Sequence, residues 1–234
     1  MTKIDHLKDI AKSNKPFIIY KSDKGFDLYT DFSKKIILTN SNIKNFINEA
    51  TRFKFKKKET DIFIGFFGYE ILNNLIGVKV KKQKGLKFPK GIFYKPETKV
   101  KLQNKLDYKN LKLIKPNKSF KVNIDKTSYK VIFDKFKKKI KSGETYQIKI
   151  CTKYSNKTQI DALDFFSRLV KTNMAPEAFM IKDKDYSIIS CSPENLIIKK
   201  NDLITTKPIA GTLKKNMKFN KIKALAFFKK NIKT

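Results

Sequence analysis

Short runs of β-branched and aromatic residues, separated by turn residues, recur near both ends of this 234-residue chain. Near the N-terminus the runs are PFIIYKS, FDLYTDF and KKIILTN, and near the C-terminus they are YSIISC, NLIIKK and LITTKPIA. Runs of this length, bounded by Gly, Pro, Asn, Asp or Ser, predict β-strands. Because short connections join neighbouring strands in opposite directions, the sequence predicts a largely antiparallel sheet.

Three further segments predict strands: DIFIGFFGYE (61–70), GIFYKPETKVKL (91–102) and ETYQIKICTKYS (144–155). The first carries Gly65 and Gly68, and a glycine inside a strand often marks the close approach of another backbone. The second is expected to turn at Pro96 and Glu97. The third alternates apolar and polar residues, which predicts a half-buried strand.

Four segments have apolar residues at helical spacing: SNIKNFINEATRF (41–53), DKTSYKVIFDKFKKKIKSG (125–143), QIDALDFFSRLVKTNM (159–174) and NKIKALAFFKKNIKT (220–234). Ser41 or Asn42 is expected to cap the first helix. Gly143 is expected to follow the end of the second helix, where a left-handed glycine is common. The pattern loosens between 115 and 126, which divides the chain into a β-rich part, 1–115, and a second part, 116–234. Helices and antiparallel strands together predict the α+β class.

The charge of the chain raises the question of nucleic-acid binding. The formal net charge is +33, from 54 Lys and Arg against 21 Asp and Glu. Arginine, which forms the bidentate contacts to bases and phosphates, occurs only at Arg52 and Arg168. The lysines are spread along the chain, as AT-rich codons would leave them, so nucleic acid is not the favoured partner. A basic RNA-binding module stays open as an alternative, and a steep salt dependence of RNA affinity would identify it.

Several other classes of protein are disfavoured. No stretch approaches 18 uncharged apolar residues, so an ordinary transmembrane helix is not predicted. The first fifteen residues lack the apolar region of a secretory signal, so we expect a cytoplasmic protein. Cys151 and Cys191 have no CxxC spacing and no neighbouring His, which argues against a zinc site or a disulfide framework.

Three short motifs follow these elements in order. GETYQ follows the helix at 125–143, SPE follows the strand YSIISC, and PIAGT follows the strand LITTK. An isolated Ser-Pro-Glu is more often a hairpin turn with a solvated Glu than a catalytic site. The order and spacing of the motifs, rather than any one of them, favour a function.

This series resembles the chorismate-utilising enzymes, specifically the large subunit shared by anthranilate synthase and aminodeoxychorismate synthase. The matching residues are Ile140, Gly143, Glu144 and Gln147; Ser192, Pro193 and Glu194; and Pro208, Ile209, Ala210, Gly211 and Thr212. GFFGYE at 65–70 is similar to the family's N-terminal Gly-x-x-Gly-Tyr element, so the resemblance runs from about 62 to 212. Four motifs in order make it specific.

The resemblance implies a fold and an activity. The implied fold has two facing, largely antiparallel sheets with helices outside, and the two parts of the chain share one core. The implied activity is amination of chorismate by the large component of a synthase, with ammonia supplied by a separate glutamine amidotransferase subunit, component II. Anthranilate synthase component I is the first choice, and aminodeoxychorismate synthase component I is the alternative.

The resemblance also implies the site residues. Glu194 is the expected catalytic carboxylate beside the reacting ring, where it would handle protons. Ile209, Ala210, Gly211 and Thr212 are the expected substrate-binding residues, because backbone amides around a glycine can reach a substrate carboxylate. Thr212 adds a hydroxyl donor. The segment 205–212 would then form one wall of the chorismate site.

The resemblance implies Mg²⁺ as the cofactor that neutralises a substrate carboxylate. In the family the metal ligands and the general-acid histidine come later in the chain, so the expected ligands lie beyond Thr234. The only histidine, His6, does not match that position. We therefore expect these 234 residues to be an N-terminal fragment that is inactive and poorly soluble by itself.

Two departures from the family bear on its product and its regulation. Relatives that make aminodeoxychorismate commonly have a lysine where this chain has Ala210, and anthranilate synthases have alanine there. NMAPEAF at 173–179 departs from the run that lines the tryptophan-inhibition site, and the N-terminal region has no Leu-Leu-Glu-Ser element. Inhibition by tryptophan is therefore not expected, and position 210 favours anthranilate as the product.

Overall fold

The computed structural model describes residues 3–13, 15–22, 25–52, 58–78, 88–102, 106, 119–157, 160–209 and 220–231. Its strands are β1 (Phe17–Ser22), β2 (Gly25–Ile37), β3 (Ile64–Phe67), β4 (Gly91–Leu102), β5 (Lys121–Val122), β6 (Tyr154–Ser155), β7 (Glu177–Lys182), β8 (Ser187–Ser192), β9 (Ile198–Lys200) and β10 (Leu203–Thr205). Its helices are α1 (Lys3–Lys12), α2 (Ile43–Arg52), α3 (Tyr69–Leu75), α4 (Lys126–Lys141), α5 (Ala162–Asn173) and α6 (Lys221–Asn231).

Six strands form one antiparallel sheet in the order β3-β4-β2-β1-β7-β8. β9 pairs with β10, and β5 pairs with β6, in separate two-stranded ribbons. The α+β class and the antiparallel pairing predicted from the sequence are confirmed. A second large sheet facing the first stays a prediction. Because β7 pairs with β1, segments from before and after residue 115 share the sheet.

β2 is a single bent strand, although the sequence predicted two strands, FDLYTDF and KKIILTN. Asp31 has a φ of 51°, and the register with β4 shifts between Phe32 and Lys34. A β-bulge of this kind bends a strand without ending it. The predicted turn at Pro96 and Glu97 is also wrong, because β4 continues through both residues. Pro96 lies opposite Phe32 beside the bulge, where a missing N–H costs the ladder little.

Gly65 and Gly68 lie against the backbone of β4 and the residue before it. A Cβ on Gly65 would come within 1.9 Å of the Ile92 carbonyl oxygen. A Cβ on Gly68 would come within 2.3 Å of the Lys90 carbonyl oxygen. The close backbone approach predicted for these glycines is confirmed.

Both faces of the sheet are buried by apolar side chains. On one face the side chains of β1, β2 and β7 pack with α1 and α5, and on the other they pack with β4. The first cluster includes Leu7, Phe17, Ile19, Leu28, Phe166 and Met180, and the second includes Ile18, Tyr29, Ile92, Tyr94 and Ile181. A third cluster, beneath α2, includes Leu38, Ile43, Phe46, Ile71 and Phe93. Alternation along β1 sends Ile18 and Ile19 to opposite faces.

The helix termini agree with the sequence in part. Asp125 caps α4 by accepting a 2.7 Å hydrogen bond from the Ser128 amide, and Gly143 follows the helix with a φ of 76°, as predicted. At α2 the cap is Thr39 rather than Ser41 or Asn42. The Asn42 amide donates to the Thr39 hydroxyl, and the Thr39 amide donates back to the Asn42 side chain at 2.8 Å, which is a capping box.

Two strand predictions differ from the structure. The predicted strand at 144–155 is regular only at β6, and Tyr146 is 90% exposed. No described strand lies beside 146–151 to pair with it, and a strand without a partner is not stable. β7 was not predicted, although it pairs on both sides within the sheet.

Candidate functional site

The Ser-Pro-Glu motif forms a turn at the end of β8. Ser192 is the last residue of the strand, and its hydroxyl donates a 2.9 Å hydrogen bond to the Glu194 carbonyl oxygen. The Glu194 amide is 3.4 Å from the same hydroxyl oxygen, to which it donates. Pro193 fixes φ between the two residues. The backbone at Glu194 is therefore held by the side chain two residues before it.

Glu177 connects this turn to the middle of the sheet. It is the first residue of β7 and lies opposite Ser192 in the β7–β8 register. One of its carboxylate oxygens accepts a 2.8 Å hydrogen bond from the Asn195 side-chain amide. The other accepts a 2.6 Å hydrogen bond from the Tyr20 hydroxyl on β1. A single carboxylate thus links β1, β7 and the turn after β8.

The side chain of Glu194 is exposed beside this network. Its backbone makes the two bonds to Ser192, but its carboxylate has no hydrogen-bond or ion-pair partner within the part of the chain that the structure describes. An ionised carboxylate on a fixed backbone can accept a proton or a hydrogen bond from a bound molecule. The geometry is compatible with the catalytic role expected for Glu194.

The motif after α4 is held by local contacts. Glu144 pairs with Lys139 and also accepts a 3.2 Å hydrogen bond from the Ser142 hydroxyl. The hydrogen bond from Lys139 lowers the pKa of the Glu144 carboxyl below its ordinary value. Gln147 is exposed, and α4 has no buried residue. This motif therefore forms the end of an exposed helix.

The third motif is described only as far as Ile209. That residue follows β10 and is 53% exposed. Ala210, Gly211 and Thr212 lie outside the described residues. Among described residues, no hydrogen bond connects the segment 206–209 to the Ser-Pro-Glu turn. The expected grouping of Glu194 with the 209–212 segment stays a prediction.

A profile of the family described as chorismate binding enzyme matches residues 7–228 of the 234. The match begins in α1, covers the six-stranded sheet and includes all the motifs. The chain belongs to the chorismate binding enzyme family. The resemblance deduced from the motifs is thereby confirmed.

Individual relatives are more distant and match in part. An aminodeoxychorismate synthase component 1 from Bacillus subtilis is 29% identical over 108 residues, which are 46% of this chain and 23% of the relative. An anthranilate synthase component I-like protein from Synechocystis is 23% identical over 175 residues, 64% of this chain and 36% of the relative. An anthranilate synthase component 1 from Mycolicibacterium smegmatis is 34% identical over 90 residues, which are 36% of this chain and 17% of the relative. The chain spans 17–36% of the length of these three relatives.

A magnesium site is not formed by the residues that the structure describes. Those residues contain no group of three or more His, Cys, Asp or Glu that could hold a metal ion. The described residues thus supply no ligand set for Mg²⁺, and the magnesium requirement stays a prediction. Of the helices described, none is long and apolar enough to span a membrane.

A concave region of about 550 Å³ lies at the start of β1, whereas the Ser-Pro-Glu turn is linked to the end of that strand. Its lining includes Pro16, Asp31 and Lys35. None of the motif residues that the structure describes contributes to it. This cavity is therefore separate from the Ser-Pro-Glu turn.

The sequence did not single out Tyr20 or Asn195, and it noted Glu177 only as part of NMAPEAF at 173–179, without a role. Tyr20 and Glu177 are 157 positions apart, and they meet because β1 and β7 pair in one sheet. A local pattern carries no signal for such a contact. The available hints were the position of Asn195, directly after the Ser-Pro-Glu motif, and that of Glu177, inside the NMAPEAF run.

Proposed function

We propose that the protein is the large component of a chorismate-aminating synthase, and that it is anthranilate synthase component I. In the proposed reaction, ammonia attacks the ring carbon next to the one that bears the carboxylate. The ring hydroxyl takes a proton and leaves as water, and the enolpyruvyl group then leaves as pyruvate. Chorismate and ammonia give anthranilate, pyruvate and water.

The observation that carries this proposal is the turn at Ser192–Glu194. The Glu194 carboxylate has no partner among the described residues, and the chain is held on either side of it by the bonds of Ser192 and Asn195. The family to which the chain belongs is described as chorismate binding. Family membership also favours the enzyme over a basic RNA-binding module. The high positive charge is compatible with the proposal, since it would attract a dianionic substrate.

Position 210 supports anthranilate as the product. A lysine at this position would offer an amine as a covalent nucleophile, and Ala210 offers none. Free ammonia is then the attacking species. Aminodeoxychorismate synthase component I is the second candidate, and it is favoured by the match to the Bacillus subtilis relative of that name and by the NMAP run at 173–176.

In the proposed mechanism Glu194 handles a proton at the reacting ring. Its carboxylate would accept the proton that the attacking nitrogen loses, and Gly211 and Thr212 would bind a substrate carboxylate through amide and hydroxyl donors. A magnesium requirement belongs to this proposal. So does an amidotransferase, component II, which would release ammonia from glutamine.

The test supplies chorismate, Mg²⁺ and ammonium to the full-length gene product and identifies the reaction product by mass and fluorescence. Anthranilate that accumulates together with pyruvate in equal amounts supports the proposal. Aminodeoxychorismate, with its enolpyruvyl group intact, would promote the second candidate. Chorismate that is recovered unchanged, from a sample that is folded by circular dichroism, would contradict both.

A further inference from the structure

We propose that Glu177 is a positioning residue, which sets the place of Glu194 by tying the turn after β8 to β1. This inference rests on the proposed function, because it gives Glu177 a part in the reaction assigned to Glu194. Glu177 does not belong to any of the motifs that define the candidate site. The contacts that carry the proposal are its two hydrogen bonds, to Tyr20 and to Asn195.

The turn has few other attachments. Its backbone bonds at Glu194 go to Ser192, the last residue of β8, so they hold Glu194 to its own strand and to no other. The 2.8 Å bond from Asn195 to Glu177 connects the turn to a different strand. Because Asn195 follows Glu194 directly, this bond limits how far the Glu194 side chain can move.

β1 in turn holds Glu177 in place. The Tyr20 hydroxyl donates to the carboxylate at 2.6 Å, and the next residue, Lys21, donates to the Ala175 carbonyl at 2.5 Å. Hydrogen bonds to an ionised acceptor are stronger than those between neutral groups. Both oxygens of Glu177 are used, so the carboxylate has one orientation in which Tyr20 and Asn195 are both satisfied.

The hydrogen bond from Asn195 to Glu177, called the bridge below, can be broken and then restored by exchanging its donor and acceptor. Asn195→Asp places a second carboxylate opposite Glu177 and removes the donor. Adding Glu177→Gln supplies a side-chain amide that can donate to the new carboxylate, while its oxygen still accepts from Tyr20. The matched control adds Glu49→Gln instead, since Glu49 accepts from Lys34 on the surface and has no contact with the turn.

Two measurements read the outcome in the gene product: amide hydrogen exchange at residues 194–196, and the steady-state kinetics of amination with ammonium. We expect Asn195→Asp to speed exchange about tenfold, the scale of one charge-assisted hydrogen bond. We expect kcat to fall about tenfold and KM for chorismate to stay within about twofold, because substrate contacts are unchanged. Adding Glu177→Gln should restore both values to within about twofold.

The control pair, Asn195→Asp with Glu49→Gln, should behave as Asn195→Asp alone. If Asn195→Asp left amide exchange at 194–196 unchanged, or if adding Glu177→Gln did not slow it again, the bridge would not hold the turn and the proposal would be wrong. If the double variant Asn195→Asp with Glu177→Gln restored exchange but kcat stayed low, the bridge would not position Glu194 for catalysis, and the proposal would be wrong. If wild type makes no amination product, the proposed function fails, while the exchange data still decide whether the bridge holds the turn.

Discussion

Tyr94 donates a 2.7 Å hydrogen bond to the Asp183 carboxylate, which joins β4 to the residue that follows β7. Asp183 is 4% exposed and also accepts 2.6 Å and 2.8 Å hydrogen bonds from the Lys35 ammonium and the Lys184 amide. Burial raises the pKa of Asp183, but the bonds from Lys35 and Tyr94 outweigh it and hold the pKa at about 2. The sheet therefore contains a buried carboxylate that is ionised and fully paired.

Lys34 and Lys35 are neighbours in β2 and allow a matched comparison. Lys35 pairs with buried Asp183, whereas Lys34 pairs with exposed Glu49. We expect Lys35→Met to lower the free energy of unfolding by about 2–4 kcal/mol, because it leaves a buried charge without its cation. Lys34→Met should change it by less than about 0.5 kcal/mol. Denaturant unfolding of both variants measures the difference, and equal effects would contradict it.

The pH dependence of stability follows from the lowered pKa of Asp183. Its pKa is about 2 in the folded chain against an ordinary value of 3.8, so the unfolded chain binds more protons between these two values. The stabilisation is present above pH 4 and is lost as the pH falls from 4 towards 2. Water screens the exposed Lys35, so we expect about 1–2 kcal/mol from this group. Asp183→Asn should remove that part of the acid-induced loss, and a variant with the wild-type pH profile would contradict the assignment.

The sequence predicted the elements that depend on local pattern. The strand at Phe17–Ser22, the helices α2, α4, α5 and α6 and the glycine after α4 were identified by spacing and capping, whereas α1 and α3 were not predicted. These features are fixed by residues within a few positions of each other. The motifs identified the family for the same reason, because each is a short run with its own turn chemistry.

The errors came from contacts between distant segments. FDLYTDF and KKIILTN form one strand because β4 continues to pair with both on either side of the bulge between Phe32 and Lys34. Pro96 does not end β4, since it lies beside that bulge. Likewise, the strand pattern at 146–151 has no described strand beside it. The presence or absence of a partner strand decides these cases, and no local pattern reports it.

Gly65 and Gly77 allow a test of the close approach between β3 and β4. Gly65→Ala should lower the free energy of unfolding by about 3 kcal/mol or more, because the new Cβ would meet the Ile92 carbonyl at 1.9 Å and force the strands apart. Gly77 has a φ of 75°, and no atom of the described residues lies within 4 Å of a Cβ added there. Gly77→Ala should therefore cost only about 1 kcal/mol, from backbone conformation alone. Thermal unfolding separates the two, and a larger cost at Gly77 would contradict the packing of β3 on β4.

Glu194→Gln is the direct test of the carboxylate at the Ser-Pro-Glu turn. The substitution keeps the size of the side chain and removes its charge, and it leaves the two backbone bonds to Ser192 intact. Because the side chain is exposed, stability should change by less than about 0.5 kcal/mol. Amination of chorismate by the gene product should fall by about 10²–10⁴-fold, the usual contribution of a proton-handling group.

The matched control for Glu194→Gln is Glu97→Gln, the same change at an exposed position on β4. Turnover by this control should stay within about twofold of wild type, which separates a loss of catalysis from a general effect of lost charge on binding a dianion. The ratio of kcat to KM at several salt concentrations distinguishes the two, since a general charge effect weakens as salt rises. If Glu194→Gln also retained turnover within a few-fold, Glu194 would be a solvated turn residue, and the proton would be handled elsewhere.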